Sequence, residues 1–152
     1  MMEKFESVDA VLDFAILREQ EAFDLYHGLA SQTADSKLEV LFTSFAKVEA
    51  GHKLKLEGIK EGTTYLPVRK NPVDMKIADY LVDVEPSPDM SFQDALVLAM
   101  KREQAANSLY TNLAATIGEP LLAELFSQLA KEESAHKLRF ENLYEENFLS
   151  EN

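Results

Sequence analysis

The chain contains no cysteine. Disulfides, thiolate zinc sites and iron–sulfur clusters are excluded, so any metal must sit on Glu, Asp or His. Positive charge is scarce: 15 Lys and Arg stand against 27 Asp and Glu, a formal charge of −12. That balance argues against nucleic acid and anionic membrane surfaces as partners. Its first meaning is a well-solvated surface, with cation uptake a secondary reading. No apolar run reaches the length of a membrane span, and the opening residues MMEKFESVDA do not read as a signal peptide, so a cytoplasmic protein is expected. Proline is rare, and four of the five (Pro67, Pro72, Pro86 and Pro88) fall in one stretch. The 152 residues, 46% of them hydrophobic, suit one domain with a single substantial core.

What is present is a duplication. Residues 41–57 read LFTSFAKVEAGHKLKLE, and residues 125–141 read LFSQLAKEESAHKLRFE. Upstream, REQEAFDLYHGLA (18–30) matches REQAANSLYTNLA (102–114). Both matches have the same offset, 84 residues (125 − 41 and 102 − 18), and roughly four in ten positions agree across the halves. A repeat of this size marks a duplicated supersecondary unit.

Four segments carry a helical period. Apolar residues from about Val8 to Ala30 form one stripe. A second segment starts at Ser36, where Ser36-x-x-Glu39 reads as a capping box, and Gly62 is a plausible stop. A third begins at Ser91, with Asp94 three residues on, and ends at Gly118. Pro120 then suits the first position of a fourth. Short links within each pair predict two antiparallel hairpins, at about 7–62 and 91–147, in one domain spanning 1–152. The stretch from Thr63 to Met90 is long for a loop. It reads as a crossover running the length of a bundle, with a short helix over Met75–Val82 after Asn71-Pro72-Val73-Asp74. A linker that swaps hairpins between two chains is the alternative.

The repeat preserves polar residues where the stripes should be apolar. Glu19 lies between Ala15 and Ala22, and Glu103 between Ala99 and Ala106. Glu49 and His52 interrupt the second stripe, and Glu133 and His136 the fourth. The i,i+3 spacing puts each Glu and His on one helix face. A single such pair is usually a solvated ion pair. Two, each on an apolar face and each with a Glu in register on its partner helix, predict a di-metal site of four carboxylates and two imidazoles. Buried carboxylates are costly without neutralisation, and two divalent cations cancel four of them. Carboxylate-rich shells with one His per metal suit iron or manganese, and zinc also fits but is redox-silent. Tyr26 and Tyr110, seven residues after Glu19 and Glu103, are candidates to hydrogen-bond the ligand carboxylates. His27, Arg18 and Arg102 read as surface residues.

The pattern Glu19, Glu49-x-x-His52, Glu103, Glu133-x-x-His136 resembles the ferritin-like di-iron carboxylate proteins, most closely the rubrerythrin family, across the whole bundle. The resemblance implies an all-α, ferritin-like four-helix bundle with two iron ions per chain. It implies an oxidoreductase reacting with hydrogen peroxide or dioxygen, of rubrerythrin-type peroxidase or ferroxidase kind. With no rubredoxin-type domain present, electrons are expected from an external donor such as a rubredoxin. A homodimer is expected. This chain departs from the family in carrying Ala106 where rubrerythrins have a further Glu, three residues after the third ligand. That carboxylate is linked to the iron shift of their peroxide cycle. The sixteen residues after His136 leave no room for a ferritin-type fifth helix, and Ala50 stands where bacterioferritins bind haem through Met. A storage shell and a haem are therefore not expected. The competing readings are a non-catalytic iron-binding or iron-handling protein and a metal-free helical adaptor.

Overall fold

Each of the four segments with a helical period forms a long helix in the computed structural model, which describes residues 4–62, 75–82, 87 and 90–149. The helices are α1 (Val8–Gln32), α2 (Ser36–Lys60), α3 (Phe92–Ile117) and α4 (Pro120–Tyr144). Each has 25 or 26 residues, or roughly 38 Å at 1.5 Å per residue. Among the described residues no strand forms, and no helix is long and apolar enough to cross a membrane. The all-α class expected from the sequence is what the chain adopts.

Helix ends are fixed by side chains. Ser7 Oγ accepts from Ala10 N at 3.1 Å and Ser91 Oγ from Asp94 N at 3.0 Å. Such caps contribute about 1 kcal/mol each. The start of α2 corrects the capping-box expectation: Asp35, not Ser36, is the cap, and Ser36 is the first helical residue. Asp35 Oδ1 accepts from Lys37 N at 2.8 Å and Leu38 N at 3.3 Å. A carboxylate serves two amide donors and also faces the positive end of the helix dipole, which favours it over a hydroxyl. Gly62 and Gly118 take left-handed backbone, φ 74° and 76°, so both stop their helices as expected. Pro120 opens α4 without a side-chain cap.

By packing, the described residues form two units, one ending at Met75 and one beginning at Lys76. The first is the α1–α2 hairpin. Lys53 Nζ donates to Gln20 Oε1 at 2.8 Å and Lys60 pairs with Asp13, so numbers rise along one helix as they fall along the other. Leu12, Phe42, Leu56 and Ile59 are fully buried. Phe5 packs edge-on to Phe14 (5.4 Å), and its N–H donates to Met75 O at 3.2 Å. The second unit is the α3–α4 hairpin. Asn107 Nδ2 donates to Ala130 O and Gln93 Nε2 to Tyr144 Oη, both at 2.8 Å. Leu96, Leu113, Phe126 and Phe140 are fully buried. Each such side chain contributes about 1.5–3 kcal/mol, so packed faces, more than intrinsic propensity, hold the helices.

Of the crossover, residues 63–74 and most of 83–89 lie outside the described residues, including the Asn71–Asp74 helix start. The short helix expected over Met75–Val82 is a single 3-10 turn, Ile77–Tyr80. Lys76, in extended backbone, precedes it without a side-chain cap, and side-chain contacts rather than a helical ladder fix the segment. Asn112 Nδ2 donates to the Tyr80 hydroxyl at 2.9 Å, tying it to α3. Past α4 the chain adds a π-helical turn, Glu145–Leu149, whose Phe148 ring lies 5.3 Å from Tyr144 and 6.0 Å from Phe92.

Two glycines give opposite expectations. At Gly118, alanine is forced into left-handed backbone and is expected to cost about 1–2 kcal/mol. Gly51 lies inside α2 with no atom within 4 Å of a built Cβ, and its counterpart in the repeat is Ala135. Gly51→Ala is expected to add about 0.5–1 kcal/mol. Urea denaturation of both variants measures the two signs.

Candidate metal centre

Glu19 reaches the interior because its neighbours on the α1 face are small: Ala15 and Ala22 are both buried. On α2, Glu49 sits a turn beyond Phe45 and Ala46, and His52 a turn before Leu56, all buried. The three side chains meet across the hairpin. Each offers a ligand atom within 4.8 Å of the others, and His52 Nδ1 lies 3.2 Å from Glu19 Oε2. Glu49 is wholly shielded from solvent, and Glu19 and His52 are each 2% exposed.

The second hairpin repeats this construction. Glu103 follows buried Ala99 on α3, and Glu133 and His136 lie between buried Ala130 and Phe140 on α4. These three also offer atoms within 4.8 Å of one another, with His136 Nδ1 at 3.6 Å from Glu103 Oε1. The structure thus buries all six residues singled out in the sequence and brings them together as two triads, one per hairpin. It adds a detail the sequence did not carry: both rings turn Nδ1 toward the Glu of the neighbouring helix.

The donor set fits a divalent cation. Ligands about 2.1 Å from a common ion lie at most roughly 4.2 Å apart, so each triad needs only small side-chain shifts. Two carboxylates and one neutral imidazole leave a charge of −2 per triad, which one divalent ion balances. Oxygen-rich sets with a single imidazole suit iron and manganese better than thiophilic metals.

Tyr26 and Tyr110 are fully buried. Their packing differs between the copies. Tyr26 meets Phe45 edge-on at 6.0 Å, whereas Tyr110 stacks on Phe126 at 6.4 Å. Of the residues read as surface groups only His27 is exposed, while Arg18 and Arg102 are half-buried with their Nε atoms shielded from solvent. His27 is exposed beside Phe23. Half-buried Arg18 pairs with Glu21 at 3.1 Å and covers the Phe14 ring at 4.9 Å.

Comparison with known proteins bears on the fold and on the second hairpin. The rubrerythrin family model matches residues 94–152, which contain Glu103, Glu133 and His136. No curated protein matches the chain. A solved structure from Thermotoga maritima, provisionally described as a ferritin-like diiron-carboxylate protein, superposes with a TM-score of 0.80. It is 16% identical and covers 95% of this chain and 98% of its own. The fold is therefore ferritin-like.

Glu49→Gln and Glu133→Gln each remove one charge from a triad and keep its shape. In chelator the variants are expected to gain about 1 kcal/mol, because the remaining Glu and His keep each other's company while a like charge is gone. Added Mn(II) is expected to stabilise the parent by about 2.7 kcal/mol at a hundredfold excess over Kd, and the variants far less. Urea denaturation with and without Mn(II) measures both effects. An equal Mn(II) gain in the variants removes these carboxylates from the ligand set.

Proposed function

We propose that this rubrerythrin-like chain of ferritin-like fold takes up one iron ion on each triad and works as a di-iron oxidoreductase on hydrogen peroxide or dioxygen. The observation that carries the reading is the duplicated buried set of two carboxylates and an imidazole on each hairpin. Glu49 with His52, and Glu133 with His136, would each hold one ion, and Glu19 and Glu103 would add a carboxylate from the neighbouring helix of the same hairpin. Two iron ions bound there supply two electrons and Lewis acidity.

The chain's own residues do the rest. The four carboxylates balance the charge of two divalent ions, and their two oxygens allow a change of binding mode as charge changes. The buried aliphatic and aromatic side chains around the triads exclude bulk water. Reduction of peroxide to two waters consumes two electrons and two protons. The electrons come from an external donor, with a rubredoxin-type protein the expected class, and we place the reaction in the cytoplasm of a homodimeric protein. Manganese or zinc fits the same donors, zinc without redox activity.

One feature favours a second reading, iron handling without turnover. Ala106 occupies the position of the further Glu of rubrerythrins, so the carboxylate tied to their peroxide cycle is missing.

Anaerobic Fe(II) titration of metal-stripped protein is expected to saturate at about two ions per chain, and Glu49→Ala and Glu133→Ala to lose that uptake. Full iron occupancy in both variants refutes the ligand assignment. Repeated turnover of peroxide with a reduced donor supports the oxidoreductase. A single stoichiometric oxidation with iron retained supports iron handling instead.

A further inference from the structure

We propose that a groove on the outer side of the α3–α4 hairpin binds a small organic anion, a carboxylate with an apolar body. The groove has a volume of about 530 Å³, within the range of small-molecule sites. It lies against the segment leaving the 3-10 turn. Leu81, Val82 and Met100 give it an apolar wall, and Lys101 and Lys137 bring two ammonium groups to it. Among the described residues Asp79 is the one lining carboxylate. In a chain with a net charge of −12, two cations on a half-apolar concave surface stand out. Glu141, outside the lining, is 3.9 Å from Lys137 Nζ, too far for a hydrogen bond. No ion pair reaches Lys101 among the described residues.

The duplication supplies an internal control. The first hairpin carries the same frame: Gln20 corresponds to Gln104 and Lys53 to Lys137. There the frame is satisfied from within. Lys53 Nζ donates to Gln20 Oε1 at 2.8 Å, and Gln20 Nε2 donates to Asp24 Oδ1 at 3.0 Å. In the second hairpin Ser108 replaces Asp24, Ala105 replaces Glu21 and Lys101 replaces Leu17. Gln104 Nε2 still donates one turn onward, now to Ser108 Oγ at 3.2 Å. Two carboxylates have gone and one ammonium has arrived, a swing of three charges (−2 to +1). Meanwhile the adjoining Glu103 and His136 are retained. The change removes two carboxylates that would repel an anion and sets a second ammonium group near Lys137, with the Ser108 hydroxyl between them in sequence. The apolar wall takes the body of the ligand.

The full-length protein, metal-loaded, is titrated with hexanoate while backbone amide NMR shifts are followed. Inorganic phosphate and hexan-1-ol are the probes for charge alone and apolar body alone. Saturable shifts at Leu81, Gln104 and Lys137 are expected with hexanoate, with affinity about tenfold or more above either control. The variant Lys101→Leu/Ala105→Glu/Ser108→Asp, which copies the first hairpin at exposed or half-exposed positions, is expected to lose hexanoate affinity about tenfold or more with unchanged helix content. Lys101→Met/Lys137→Met is the second variant, expected to behave likewise. Absence of saturable hexanoate binding overturns the proposal, as does equal affinity in either folded variant. Saturation by phosphate as tight as by hexanoate overturns the assignment of an organic anion.

Discussion

Three polar residues on the buried face of each helical hairpin set the terms for everything around them. A carboxylate in an apolar interior is tolerable only with compensating positive charge and close, well-directed contacts. Glu19, Glu49 and His52 converge so that one divalent ion can supply that charge, and Glu103, Glu133 and His136 do the same. Convergence requires straight helices of matched length, capped so that the three side chains arrive at one level. It also requires small neighbours, which is why Ala15, Ala22 and Ala99 occupy positions where larger residues would pack more surface. The hairpins give up some hydrophobic burial to hold a cluster that an ion completes.

Much of this was legible in the sequence because the two signals involved are local. Helical period and turn chemistry located α3 and α4 through Ser91, Gly118 and Pro120, since each acts on its own backbone. The six Glu and His residues were legible because they break an apolar stripe twice at one offset. The cap of α2 was read one residue late: Ser36 and Asp35 both satisfy the pattern, and only the direction of the Asp35 carboxylate toward two amides decides between them. The segment before α3 was read as a helix. What holds it is Asn112 reaching Tyr80, a contact 32 residues apart that no local pattern announces. The Nδ1 orientation of His52 and His136 depends on rotamers set by packing, which spacing alone does not fix.

The two hairpins also show what duplication leaves free to change. The buried ligands and the tyrosines are retained, and each tyrosine packs on a ring of its own hairpin, Tyr26 on Phe45 and Tyr110 on Phe126. On the outer face three aligned positions differ by three charges while the Gln among them keeps its one-turn contact. The interior is constrained by charge compensation and volume, and the exterior only by solvation, so divergence collects outside.

Each triad is drawn from a short span of chain: Glu19 to His52, and Glu103 to His136, 33 residues in both (52 − 19 and 136 − 103). Closing a span of that length carries a modest entropic cost that grows only slowly with length. During synthesis every residue of the first triad is added before any residue of α3. Synthesis is therefore sequential: one half-set of ligands exists while the other is still being made.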